Sequence, residues 1–158
     1  MISLWGTPFG NIIMTLLVSM VPVVELRGAI PLAVVNGMDI IPAFILSVVG
    51  NLIPVPFIII FIRKVFKWMR QKSSKLETIV EKLEAKADRQ KEKVLKYEFW
   101  GLMILVAIPL PGTGAWTGAM VAAMLDMSLK RAFPAILVGV IVAGIIVSLA
   151  TVGVGILI

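Results

Sequence analysis

The stretch VVELRGAIPLAV, residues 23–34, decides how the rest of the chain is read. It sets a carboxylate, Glu25, and a guanidinium, Arg27, inside a long apolar run. No charged side chain precedes Glu25, and after Arg27 the next charges are Asp39 and Arg63. Residues two apart do not face each other on a helix, so this pair does not simply neutralise itself there. Gly28 and Pro31 follow at once and argue against a regular helix at this point. A charge at the centre of a bilayer costs roughly 2.5–3.5 kcal/mol on insertion scales. An irregular tip that faces protein or a watery cavity accommodates both groups.

The surroundings suit such a setting. The chain has 158 residues, 59% of them hydrophobic, with a mean hydropathy of +1.04. Soluble domains are about 45–50% apolar, so the excess implies an integral membrane protein. An all-α fold is expected, because a short chain in lipid must satisfy its backbone internally. A β-barrel would show alternating segments of about ten residues, and none is present. There is no Cys and no His. Thiol chemistry is therefore excluded, and the usual neutral-pH acid/base and most zinc sites are missing. With one buried carboxylate, hydrolytic machinery is hard to assemble, so no enzyme, metal or cofactor is expected. The N-terminal stretch MISLWGTPFGN lacks the basic region of a cleavable signal peptide.

The net charge of +6 belongs to one segment. Residues 63–98 carry twelve basic and six acidic side chains, while the remaining six charges cancel. A basic segment between apolar halves reads as a cytoplasmic loop, not as a nucleic-acid face, since no recognition motif accompanies it. Leu76, Val80, Leu83, Ala87, Gln90 and Val94 recur at helical spacing and form a thin apolar stripe. Ser73 or Ser74 can cap this helix, with Glu77 following. The stripe fits packing on the chain's own membrane domain, a coiled-coil contact in a homodimer, or a helix lying on anionic lipid.

Three regions result: a first membrane repeat over 1–62, a basic cytoplasmic helical segment over 63–98, and a second membrane repeat over 99–158. Residues 40–62 and 132–158 are long enough to span a bilayer. Pro42, Pro54 and Pro56 bend or trim the first of these. In the second, Gly139/Ala143 and Gly144/Ser148 suit close helix packing. Residues 9–38 and 99–125 are too long for one span and too broken for two. Each is expected to form a re-entrant hairpin. The order Pro22, Gly28-Ala29, Asp39, Pro42-Ala43 recurs as Pro109, Gly114-Ala115, Asp126, Pro134-Ala135. With Arg63/Lys64 and Lys130/Arg131 inside, both termini lie outside and the halves have opposite orientation. Inverted repeats with paired breaks are a transporter architecture, with the site where the breaks meet.

The candidate site follows from that meeting. Glu25 is placed to carry a proton or bind a cation, and Arg27 offers a fork of donors for phosphate or carboxylate. A buried structural pair, or pairing of each with the opposite hairpin, is the alternative. The second tip is PLPGTGAWTG, Pro109 to Gly118. It lacks the dinucleotide and P-loop patterns. Its backbone amides precede a half-helix starting near Ala115, where an anion is favoured. Thr113 and Thr117 add hydroxyls, and Trp116 can stack on a substrate or simply pack. Asn51 lies within a span and either bonds to a neighbouring helix or lines a pathway. Asp39 and Asp126 read as helix-end residues, Lys130 and Arg131 as topology determinants, and Trp5, Trp68 and Trp100 as interfacial anchors.

With ELRGAIP, PLPGTGAWTG and a basic segment between them, nearly the whole chain resembles the small multidrug export protein family. That family is similar to the DedA (VTT-domain) superfamily in having two opposed re-entrant hairpins. The resemblance implies that Glu25 and Arg27 match the first-hairpin motif, beside the candidate site residues Gly28 and Pro31. It implies that Pro109, Pro111, Gly112 and Gly114 form the second. DedA-type proteins are implicated in proton-dependent lipid movement, but they carry charges around both tips, and this second tip has none. The expected function is a proton-coupled transporter of a lipid-linked phosphate or a small amphipathic compound. The alternative is a membrane scaffold that recruits partners through residues 63–98.

Overall fold

The structure is a computed structural model and describes residues 5–110 and 112–157. Among these the chain is helical throughout, with seven helices and no strand. They are α1 (Pro8–Met20), α2 (Glu25–Val35), α3 (Ile40–Leu52), α4 (Pro54–Lys72), α5 (Ser74–Ala107), α6 (Ala115–Met124) and α7 (Leu129–Leu157). Two stretches are long and apolar enough to cross a membrane: Ile40–Lys72, formed by α3 and α4 in succession, and Leu129–Gly155 within α7.

The two broken blocks each yield a pair of short helices. In the first, α1 ends at Met20 and α2 begins at Glu25. The break therefore lies at residues 21–24, and Gly28 and Pro31 sit inside α2, not at the break. Pro31 has no N–H for the Arg27 carbonyl four residues back, yet the helix runs on to Val35. In the second block, α5 contains non-helical dihedrals at Tyr97 and Glu98. Its last part, Tyr97–Ala107, is a short apolar helix. Residues 108–114 then form the second break before α6.

Local geometry recurs with one spacing. Val23 and Gly112, Glu25 and Gly114, and Gly37 and Asp126 all have positive φ, and each pair is 89 positions apart. The ends of α2 and α6 are also alike. Met38 N–H bonds to the Ala33 carbonyl and Gly37 N–H to Val34; Met127 N–H bonds to Ala122 and Asp126 N–H to Ala123. Both are left-handed terminations in which two orphan carbonyls are satisfied. In this recurrence of positive φ, Glu25 corresponds to Gly114 and Gly37 to Asp126, a spacing of 89 that differs from the 86 between Gly28 and Gly114.

In α1, packing follows side-chain size and polarity in an inverted sense. The buried residues of α1 are Gly10, Asn11, Thr15 and Ser19, one polar stripe facing inward. Its large apolar residues Phe9, Ile12 and Leu17 are exposed. Small polar residues inside and large apolar ones outside are what lipid-facing helices require. Gly139 lies where a Cβ would meet the Met103 carbonyl and Val106, and Gly144 where it would meet Phe44. The predicted small-residue pairs thus bring α7 close to α5 and to α3. Val80 of α5 is buried in the core and Leu83 packs against it. This part of the apolar stripe lies on the chain's own helices; Ala87, Gln90 and Val94 fall outside the side chains described. Ser73 caps α5, its Oγ accepting the Lys75 N–H.

Candidate functional site

The two breaks meet, and the residues after the first reach into the second. Helix α6 is the centre of the arrangement. Eight of its ten residues are buried, all except Trp116 and Met124. A buried helix must have partners for its end groups. No side chain of its own neighbourhood caps its N-terminus. Instead the Trp116 N–H donates to Glu25 Oε1 at 3.1 Å, across 91 positions of sequence. Gly114, with φ +112, has no side chain, and a Cβ there would fall within the Glu25 carboxylate. Glycine at this position both permits the backbone turn and leaves the space that the carboxylate fills. Glu25 is 2% exposed. A carboxylate at a helix N-terminus is favoured by the exposed amides and the helix dipole.

Arg27 takes the other side of the tip. Its Nη2 donates to the Ile108 carbonyl at 3.1 Å and to Thr113 Oγ1 at 2.9 Å, and its Nη1 donates to the Leu110 carbonyl. The turn is closed from within by Thr113 N–H bonding to Leu110. The Thr113 hydroxyl lies 2.7 Å from the Ile108 carbonyl, and the Thr117 hydroxyl donates to the Gly112 carbonyl at 3.1 Å. Trp116 anchors the tip to the first block through its indole N–H, which donates to the Met20 carbonyl at 3.1 Å. Glu25 and Arg27 thus each bind the opposite break, and no ion pair joins them among the described residues. The Arg27 Nε–H is buried without a partner.

Asn51 completes the wall. It is 1% exposed, its amide faces the Glu25 carboxylate, and its Oδ1 has no hydrogen-bond partner. Together with Leu26, Val106, Val140 and Ala143 it encloses a cleft around Glu25 that admits no water-sized sphere. The site is closed, and any cargo reaching it must displace a protein group. The Lys86 ammonium stands beside the tip, where a Cβ on Gly112 would come within 3.1 Å of it. Among the described residues no group of His, Asp or Glu side chains is arranged to hold a metal ion.

Of the residues singled out from sequence, the structure brings together Glu25, Arg27, Asn51, Pro109, Gly112, Thr113, Gly114, Trp116 and Thr117. Pro111 lies outside the described residues. Gly28 packs against Val24 on its own helix, and Pro31 stands further along α2. The α6 N-terminus expected to receive an anion is occupied by the chain's own Glu25 side chain. Sequence reasoning missed Arg63. Its guanidinium donates to the Ala123 carbonyl at the other end of α6 and pairs with Asp126 at 2.5 Å. Only its place at the end of an apolar span signals it, and that signal speaks to topology. Asp126 stands just past the end of α6 and Asp39 at the start of α3, as helix-end residues.

The family described as “Putative small multi-drug export protein” matches residues 25–146. The match covers more than half of the chain, from Glu25 to well inside α7, and the chain belongs to this family. No curated protein and no solved structure matches it.

Proposed function

We propose that this member of the small multi-drug export family is a proton-coupled membrane transporter. Its cargo is an amphipathic compound with an anionic group, of which a lipid-linked phosphate is one example. The observation that supports this reading best is the Glu25 carboxylate seated on the α6 N-terminus. The amides there favour an anion, and the anion is held on a residue that can be neutralised by one proton. Protonation removes the charge that the helix end attracts. The seat then opens to the anionic group of a cargo, and Arg27 and Lys86 both lie at the same tip. Loss of that proton restores the Glu25 carboxylate, which retakes the seat and expels the cargo. A transporter must alternate between such states, and the closed cleft represents one of them.

The architecture is consistent with that cycle. We read the helices 8–35 with the α3–α4 span, and the helices 97–124 with α7, as two repeats of one unit in opposite orientation. The pairs of short helices are then re-entrant hairpins whose tips meet, within membrane repeats at 1–62 and 99–158. The 89-position recurrence of positive φ supports the repeat. The inverted polarity of α1 supports a lipid surround. A scaffold acting through the apolar stripe of residues 63–98 is less favoured, since Val80 and Leu83 already pack on the chain itself.

The test uses purified protein in liposomes with an imposed pH gradient and a panel of phosphate lipids and amphipathic drugs. Glu25→Gln should abolish coupling to the gradient while the protein still inserts and folds. Arg27→Lys should also impair transport, because an ammonium does not reproduce the fork that spans three acceptors. Gradient-driven transport by Glu25→Gln at the wild-type rate would overturn the reading.

A further inference from the structure

A second polar site lies at the far end of α6 from Glu25. There α4, α5 and the end of α6 enclose a groove of about 430 Å3 of accessible space. It is lined by Arg63, Lys67, Arg70 and Gln71 from α4, Glu84 from α5, and the apolar Ile62, Phe66 and Met124. Its position follows from the sequence: the apolar run that begins at Ile40 gives way to basic residues at Arg63, and the groove lies beside that change.

The charges are not equivalent. Arg63 is paired with Asp126, and Arg70 with Glu84. Lys67 has no ion-pair partner among the described residues and is exposed. The groove therefore offers one uncompensated positive charge, flanked by two guanidiniums, above an apolar floor. Phe66 belongs to the buried core, so this floor is fixed. A ligand that matches must bring a single negative charge and an apolar part attached to it.

We propose that the groove binds the phosphate headgroup of an anionic phospholipid, with Lys67 neutralising the phosphodiester and the start of the acyl chains lying toward Ile62 and Met124. Basic pockets at the ends of spans are suited to such headgroups, each near-surface Lys or Arg adding to the attraction. A free phosphate shares the charge but has nothing to set against the apolar floor. This site is separate from the hairpin tips and does not depend on transport through them.

The full chain in neutral detergent would be titrated, with native mass spectrometry as the readout, against short-chain phosphatidylglycerol, phosphatidylcholine of the same chain length, and inorganic phosphate. Phosphatidylglycerol should bind well ahead of the other two. Lys67→Gln should weaken it about fivefold, the effect of one near-surface charge. Lys64→Gln is the charge-matched control: Lys64 lies on the same helix, over the Phe61 ring at 6.0 Å, and does not line the groove. It should leave the affinity unchanged. Equal binding of the two lipids, inorganic phosphate binding as tightly as phosphatidylglycerol, or equal losses in the two variants would each overturn the proposal. Lys67 is exposed, so its replacement leaves the fold intact, which circular dichroism checks.

Discussion

Glu25 carries more of this structure than its size suggests. Its backbone has φ +48, a conformation that costs a non-glycine residue about 1–3 kcal/mol and persists only where the surroundings impose it. What imposes it is the seat on α6. Two predictions follow at this scale. Gly114→Ala should destabilise the protein by about 2–5 kcal/mol, because the new methyl meets the carboxylate and the backbone is unsuited to alanine. Gly37→Ala, at the matching left-handed position of φ +86 but with open space around it, should cost only about 1–2 kcal/mol. Thermal unfolding in detergent compares the two, and equal losses would mean that the carboxylate does not fill the space. The second prediction separates a mutual ion pair from two independent anchors. If Glu25 and Arg27 neutralised each other, Glu25→Leu with Arg27→Leu would recover stability that each single change loses. Here each binds backbone of the opposite break, so the double variant should not recover the stability that either single change loses. The sequence made this pair conspicuous, since two charges in an apolar run demand partners. It did not show which partners, because a helix N-terminus ninety residues away leaves no mark beside ELRG.

Helix α6 is short, apolar and buried, and it is held at both ends by the first half of the chain. Glu25 meets its N-terminal amides and Arg63 its C-terminal carbonyl. The signs match the helix dipole at each end. Arg63→Gln should therefore destabilise by about 1 kcal/mol, through loss of a charged donor to the Ala123 carbonyl, which keeps the Asp126 N–H. Asp126→Gly should stay within about 1 kcal/mol of wild type. It loses a largely exposed ion pair, worth little in solvent, and relieves a positive φ of 56 that glycine adopts freely. Helix α5 offers a parallel contrast. Val80→Ala should cost about 2 kcal/mol because the residue is fully buried, while the exposed Glu81→Ala should be near neutral. Melting temperatures of the four variants check both pairs. The stripe that marks α5 as amphipathic was plain in the sequence; the surface it covers was not, since periodicity gives a face and no partner.

For the molecule as a whole, the orientation remains an expectation that labelling can decide. The chain has no Cys, so Ala85→Cys introduces one exposed thiol in α5. With residues 63–98 inside, an impermeant reagent added outside intact cells should fail to label it, and label it fully after lysis. Labelling from outside would reverse the topology. At this scale the helical class and the second break were legible, because hydropathy and proline–glycine interruptions are local signals, whereas the first break lies at 21–24, ahead of the Glu25–Pro31 stretch expected to form it. The register of the recurrence was not legible either. Gly28-Ala29 resembles Gly114-Ala115 as letters, whereas the positive φ values recur at Glu25 and Gly114, one side chain and the hole it occupies. Sequence similarity rewards like residues, and these two positions fit by being unlike.

That fit has a consequence for biosynthesis. The carboxylate and the amide that meets it are 91 positions apart. At about 5–20 residues per second, the ribosome delivers Glu25 roughly 5–20 s before Trp116. During that interval the nascent first half holds a carboxylate with no helix end to receive it. Membrane insertion of this half alone must leave Glu25 in water or neutral until the second half arrives. A chain cut after α4 is therefore a substrate for quality-control proteolysis, and supplying the missing half as a separate polypeptide is what should rescue it.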